Sequence, residues 1–359
     1  MCDVVIIGGG IAGVSLAARL ASHLNVILLE AEEQLSYHAS GRSAATFLKD
    51  YGNEIVRVLN YASEDYLSSN NGGVISPRGM MMLGKKNERE AFFREAKGFG
   101  LEEICIREAC DKVPIIDTET VHLAAYREDV FDIDTDRLFS NFLKMARAGR
   151  VEIHTSAKVK EIQFSRKRWK ISTDNQVFTA KLLVNAAGAW VDEIAKLSGI
   201  EPLGFMPFRR SIARIPVPGG FDCSNWPLMD GVNESWYAKP DAGQLIVSPV
   251  DEELKKPHDA WADDLVLAEG LARFEEMISY PVKLITSNWA GLRTFAPDRA
   301  LVIGHSSVKP EFFWLAGQGG YGFQTSAAVS NLAKDLILGL CPDLDSSVIK
   351  SLSPSRLES

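Results

Sequence analysis

The sequence is poor in the groups that mark a metal centre or a disulfide framework. It holds five cysteines (Cys2, Cys105, Cys110, Cys223 and Cys341), an odd number with no C-x-x-C pair. That usage points to reduced thiols, not to a stapled secreted domain. Six histidines are scattered without H-x-H or H-x-x-x-H spacing, which argues against a metal site. No apolar run reaches the ~18 residues of a membrane-crossing helix. The first apolar run begins almost at residue 1 with no basic stretch before it, unlike a signal peptide. An excess of basic charge is also missing. Lys plus Arg is 39 against 47 for Asp plus Glu, a net charge of −8, the wrong sign for a nucleic-acid partner. The expectation is a cytoplasmic protein with no nucleic acid and no integral membrane segment, able at most to sit against a membrane for electron transfer.

What is present is the composition of a globular chain, with 46% hydrophobic and 24% charged residues over 359 positions, enough for about two domains. The chain opens with Asp3–Ile7, DVVII, a continuous apolar run suited to a strand buried on both faces of a parallel sheet. Gly8-Gly9-Gly10-Ile11-Ala12-Gly13 follows, then a helical pattern, then a second apolar run over Val26–Leu29 ending in Glu30 and Ala31. In such a unit Gly8 permits the tight turn, Gly10 lets a pyrophosphate approach the backbone, and Gly13 lets helix and strand pack closely. The amides at the helix start, around Ile11 and Ala12, face the anion. Glu30 lies where a carboxylate accepts hydrogen bonds from an adenosine ribose diol, and it would repel the 2′-phosphate of NADP. Dinucleotide binding is therefore expected. The competing reading is a glycine turn with no ligand.

NAD and FAD share this unit, and later segments separate them. Residues 36–46, SYHASGRSAAT, place Gly41, Arg42, Ser43, Ala44, Ala45 and Thr46 in a small-residue loop where backbone amides can reach a bulky ring system. Residues 181–190, KLLVNAAGAW, form another buried strand ending in Ala187, Gly188 and Trp190, as though passing the same cofactor. Residues 312–325, FFWLAGQGGYGFQT, read as a strand, a glycine turn through Gly319, Gly320, Tyr321, Gly322 and Phe323, and a helix starting near Gln324 and Thr325. That helix start would stabilise negative charge on the flavin's N1–C2=O edge.

These motifs resemble the D-amino-acid oxidase (DAO) family of FAD enzymes. The resemblance extends to W-A-G-L-R-T-F (289–295), D-I-D-T-D (132–136), R-R-S (209–211), K-P-D-A-G (239–243) and L-S-P-S-R (352–356). Within the family the sequence is most similar to the D-arginine dehydrogenase branch. The resemblance implies an α/β fold: a Rossmann-like FAD domain (1–74, 134–200, 288–359) interleaved with an α+β, antiparallel-sheet substrate domain (75–133, 201–287). Asp134-Thr135-Asp136 reads as an N-cap opening a helix over Arg137–Ala148.

The resemblance further implies oxidative deamination of D-amino acids. Hydride would pass from Cα to flavin N5, and the imino acid would then hydrolyse to a 2-oxo acid and ammonia. Arginine suits a substrate carboxylate, because its planar fork makes two charge-assisted bonds. Family register places Arg293 and Arg210 in that role, although the residues themselves do not choose between Arg209 and Arg210. Tyr51 and Tyr237 fall on pocket positions, with a core tyrosine as the competing reading. The segment around Tyr51 suits a mobile lid. Gly320 would offer a carbonyl to the substrate amine. Val159, Gly291 and Arg293 join the expected flavin contacts, and Thr46 stands where the branch carries a histidine.

The branch also carries an acid after its Ser-Pro-Arg turn. Here Ser76-Pro77-Arg78 leads to Met80, a soft apolar wall. A preference for neutral, apolar side chains is therefore expected, unless Asp50 or Asp230 restores an acid. Phe323 would narrow the pocket. Covalent flavin attachment would need a Cys or His, and neither occurs in 312–325, so FAD is expected to bind non-covalently. The electron acceptor, a quinone, a dye or O₂, stays open. Three other readings compete: an FAD oxidase of glycine, sarcosine or another secondary amine; a flavin-binding protein without turnover; and an NAD-dependent dehydrogenase.

Overall fold

Two large sheets hold most of the strands, and the chain passes back and forth from one to the other; a small third sheet pairs Phe131–Ile133 with Thr46–Phe47 and Ile75–Pro77. The computed structural model describes residues 2–358. The first sheet has eight strands. Cys2–Ile7 lies at its centre, parallel to Val26–Leu29 on one side and to the C-terminal half of Val177–Asn185 on the other. Val5 and Ile6 are fully buried because both faces of the strand are covered. Val4 and Ile6 meet the helices Ile11–Leu20, Thr135–Ala148 and Ser326–Leu338, while Val5 and Ile7 pack towards Ile162, Trp169 and Phe178. Such burial contributes roughly 1.5–3 kcal/mol per side chain. The sheet is not wholly parallel, since the hairpin Val159–Ser165 and Arg168–Thr173 joins antiparallel to the first half of Val177–Asn185.

The turn after the first strand is built from close approaches. A Cβ on Gly13 would stand 2.0 Å from the carbonyl oxygen of Gly8, so the helix can lie on the strand only without one. Gly8 itself has φ +114°, in the region that favours glycine. Asp134 caps its helix as expected, its carboxylate accepting from the Arg137 amide at 2.9 Å, and the helix starts at Thr135, two residues before the expected Arg137.

The second sheet has nine strands. Met206–Ile215 pairs antiparallel along its length with Ser287–Phe295 and with Gln244–Ser248. Tyr237–Asp241, Leu228–Gly231, Met80–Gly84 and Leu123–Arg127 continue the sheet. Ser287–Phe295 departs from the expected division. The family resemblance assigns residues from 288 onward to the cofactor domain, yet this strand hydrogen-bonds into the second sheet. Its inner end nevertheless reaches the turn at Ala39–Arg42, so it bridges the two layers at the site. No helix among the described residues is long and apolar enough to cross a membrane.

Candidate active site

Three cavities run into one another between the sheets. The first, about 450 Å³, is lined by Gly8, Gly9, Gly10, Glu30, Ala31, Val159, Ala187, Gly188 and Trp190. The second, about 130 Å³, shares Gly10, Ala39, Ser40, Arg42, Gly188 and Gly291 with it and adds Ile11, Ala12, Gly319, Gly320, Gly322 and Phe323. The third, about 120 Å³, shares Ser43, Ala44, Arg210, Arg293 and Gly320 with the second and adds Ala45, Thr46, Tyr51, Met80, Tyr237 and Gln324. The result is a trough from the glycine turn to a chamber walled by arginine and tyrosine.

The trough fits a dinucleotide. Ile11 opens its helix after Gly10 as expected, but its amide already donates to the Ser40 hydroxyl at 3.0 Å and so is not left free to face the anion. Glu30 turns its carboxylate towards the glycine turn, accepting from the Gly9 amide at 2.7 Å and the Glu32 amide at 3.0 Å. Gly291 and Gly188 leave the walls hollow. A Cβ on Gly291 would meet nothing nearer than 3.5 Å, and one on Gly188 nothing within 4 Å, so the protein itself does not fill that space. A cradle of this kind accommodates a broad ring system.

Several expected contacts fall elsewhere. Gly13 and Gly41 are packed against backbone; a Cβ on Gly41 would lie 2.2 Å from the Ser36 carbonyl oxygen. The Arg42 guanidinium is taken up by the carbonyls of Tyr37, Ala260 and Ala290 and by Asp259, so it staples the loop and lends the trough only its stem. Tyr321 stacks edge-on against Tyr51 and Phe295, and the Thr325 hydroxyl donates to the Tyr321 carbonyl; neither residue lines a cavity. The helix starts at Ser326, and two of its leading amides are already used, Ser326 by Phe323 and Ala328 by the Ser63 hydroxyl. The backbone that faces the trough is instead the Gly319–Phe323 turn. Phe323 lines the cofactor trough and not the chamber, so it does not narrow the latter.

The chamber's arginines come from neighbouring strands. Arg210 stands opposite Gly291, and Arg293 opposite Phe208, which puts both side chains diagonally on one face. Arg209 points the other way, to Asp251 at 3.0 Å and Glu253 at 2.8 Å. The period of two thus decides between the arginine pair in favour of Arg210. Neither Arg210 nor Arg293 forms an ion pair among the described residues, and Arg210 Nε is buried without a partner. Burial, and then the like charge of Arg293, pull the pKa of Arg210 down, but an arginine starts so high that both remain cations. Two guanidinium groups without carboxylate partners, one buried and one half-buried, create a demand for an anion.

Tyr51 and Tyr237 face the same chamber, and the Tyr237 hydroxyl is buried without a partner. Burial raises the pKa of Tyr51, which therefore stays a neutral donor. The Tyr51 segment is not loose. The Asn60 amide donates to the carbonyls of Leu48, Lys49 and Tyr51, which ties residues 48–51 to a helix and contradicts the expected lid.

Of the two acids considered, Asp50 is held by Arg127 at 2.7 Å and Tyr61 at 2.8 Å, away from the chamber. Asp230 lines it, together with Glu234, Leu48, Phe99, Leu228 and Val250. The chamber wall around Met80 is therefore not purely apolar. Glu234 was not anticipated, because nothing in its local sequence shows which strand its loop reaches. Val250 was missed for the same reason, and its φ of 56° is exceptional for a β-branched residue.

Comparison with known proteins places the chain among flavoenzymes. A sequence profile of the DAO family, described as FAD dependent oxidoreductase, matches residues 3–336. FAD-dependent oxidoreductase domain-containing protein 1 of Xenopus laevis is 25% identical over 94% of this chain and 79% of its own length. Among solved structures, L-proline dehydrogenase from P. horikoshii superposes with a TM-score of 0.81 at 21% identity, over 99% of this chain and 97% of that one. Glycine oxidase from Geobacillus kaustophilus gives a TM-score of 0.80 at 18% identity, over 98% of each chain. None of these three is a D-arginine dehydrogenase, so the special closeness to that branch does not carry over from the motifs.

Proposed function

The chain belongs to the DAO family of FAD-dependent oxidoreductases and takes FAD as its cofactor, and from this premise we propose that it deaminates α-amino acids oxidatively, with D-amino acids as substrates. The single observation that carries the reading is the pair of guanidinium groups without ion-pair partners, buried Arg210 and half-buried Arg293, in the chamber at the end of the trough. A substrate carboxylate satisfies both. The phenols of Tyr51 and Tyr237 add hydrogen bonds and wall the site. The Gly320 carbonyl, where chamber and trough meet, accepts from the amine. Carboxylate and amine fixed together leave the Cα hydrogen one direction, towards the trough. Bound flavin supplies the two-electron acceptor for that hydrogen. No base is required of the chain if the amine arrives neutral, and the imino acid hydrolyses in water. The resemblance of the motifs to the D-amino-acid oxidase family is what supports the D hand.

A second reading, an oxidase of glycine, sarcosine or another secondary amine, draws support from the small chamber and from the likeness to a proline dehydrogenase and a glycine oxidase. The test is anaerobic mixing of flavin-loaded protein with both enantiomers of a broad amino-acid panel, plus glycine and sarcosine. Bleaching of the visible flavin band by D-amino acids is expected. Bleaching by glycine and sarcosine alone selects the second reading, and an unchanged spectrum throughout rejects both.

A further inference from the structure

Opposite charge faces the arginines across the same chamber. Asp230 lies on the strand Leu228–Gly231, between Tyr237 and Met82 in the sheet. It is only 9% exposed, lines the chamber, and forms no ion pair among the described residues. Burial pushes its carboxyl well above the ordinary range, and the negative charges of Glu234 and Glu95 push the same way. It does not reach ion-pair distance of Arg210 or Arg293. The nearby Lys239 is committed to Asp132 and to the Ala44 and Ala45 carbonyls.

Glu234 lines the chamber from an exposed position and is likewise without an ion pair. It and Asn233 hold φ values of 49° and 60°, left-handed conformations that cost free energy and persist where the surrounding structure enforces them. Gln324, 3% exposed, adds a side-chain amide whose oxygen and nitrogen both lack partners. Arg210 acts on Asp230 only from beyond ion-pair distance, and a buried carboxyl without a close cationic partner is unfavourable in its ionised form unless a ligand provides one. Met80, Leu48, Phe99 and Leu228 line the same space and suit a methylene stem.

Building on the amino-acid reading above, we propose that Asp230 and Glu234 form an acidic wall that receives a positive charge at the end of the substrate's side chain, so that basic amino acids are the preferred class. The carboxylate sits at Arg293 and Arg210, and the distal ammonium or guanidinium sits at the acids. An arriving cation favours the ionised form of a carboxyl beside it. This reverses the preference for neutral side chains read from Met80.

Lysine and norleucine provide the test, because they differ by the terminal ammonium. Steady-state kcat/KM is measured with an artificial dye for both, in the enantiomer that the flavin-loaded enzyme accepts. The lysine-to-norleucine ratio is read within each variant, so a general loss of activity cancels. A ratio above one is expected, falling about tenfold to a hundredfold in Asp230→Asn and by a smaller factor in Glu234→Gln, with recovery in Asp230→Glu. A ratio at or below one in the unsubstituted enzyme, or one that neither substitution moves, overturns the proposal. So does an equal loss for both substrates in Asp230→Asn, which would place the carboxyl at the α-amine. Should Asp230→Asn give no flavin-loaded protein, the Glu234→Gln ratio decides. Turnover of norleucine with rejection of lysine removes the acidic wall alone, whereas no bleaching by any amino acid removes the underlying reading as well.

Discussion

At the scale of single residues, the site is a set of charges that the protein leaves uncompensated. Arg293 gives the clearest consequence. Arg293→Ala removes one prong of the anion site and is expected to lower kcat/KM about a hundredfold or more. Arg293→Lys is expected to recover only part of this, since a point charge cannot replace the bidentate fork. Steady-state kinetics with the best substrate checks both. Asp230 has a consequence for stability. An acid whose folded-state pKa lies above its unfolded value holds its proton more tightly when folded. Its presence therefore costs stability as pH rises from the ordinary carboxyl range towards the raised value. Asp230→Asn is expected to raise the Tm of substrate-free, flavin-loaded protein at pH 8, by about 2 °C or more, and to change it little near pH 4. Thermal melts at the two pH values read the difference. The arginines were legible in the sequence because each stands in a recognisable motif. Of the acids, Asp230 is raised by the sequence only as an alternative to Asp50, and Glu234 not at all, because both reach the chamber only through pairing of Leu228–Gly231 with strands remote from Arg293 in the chain.

Elements decide which small residues shape the trough and which merely permit packing. Gly291 and Gly13 look alike in sequence and differ in space. A Cβ on Gly13 would collide with the Gly8 carbonyl, whereas one on Gly291 would enter the trough at ordinary contact distance from the protein. Gly291→Val is therefore expected to fold and to lose at least about tenfold in FAD affinity (~1.4 kcal/mol), measured by flavin titration. Gly13→Val is expected to yield little folded protein by circular dichroism. Lys239 ties three elements together at the Ala44–Ala45 loop, through Asp132 and two carbonyls. Lys239→Met leaves Asp132, which is half-buried, with Arg78 as its remaining partner and is expected to destabilise the protein by about 1–3 kcal/mol, read from chemical denaturation. The strand–turn–helix start and the Asp134 cap were readable from local pattern, because they depend on neighbours in sequence. The sheet to which Ser287–Phe295 belongs, and the pinned state of Tyr51, were not, since both are set by partners far away along the chain.

For the whole molecule, the trough is expected to hold FAD by shape and hydrogen bonds alone. None of the three cavities is lined by a cysteine, and the histidines that line them, His38 and His258, belong to the cavity of the glycine turn. Acid precipitation is expected to leave the flavin in the supernatant; yellow colour retained on the washed pellet would contradict non-covalent binding. The alternation between sheets has a consequence of its own. The first sheet takes strands from residues 2–29, 152–185 and 302–316, and the second from 80–127 and 206–295. A single backbone scission anywhere between these outer segments parts strands of at least one sheet, and across most of the span it parts both. Neither half of the molecule can be excised as an autonomous fragment, so ring-binding and acid-recognising functions cannot be parcelled out to separate polypeptides or shuffled between relatives at one junction.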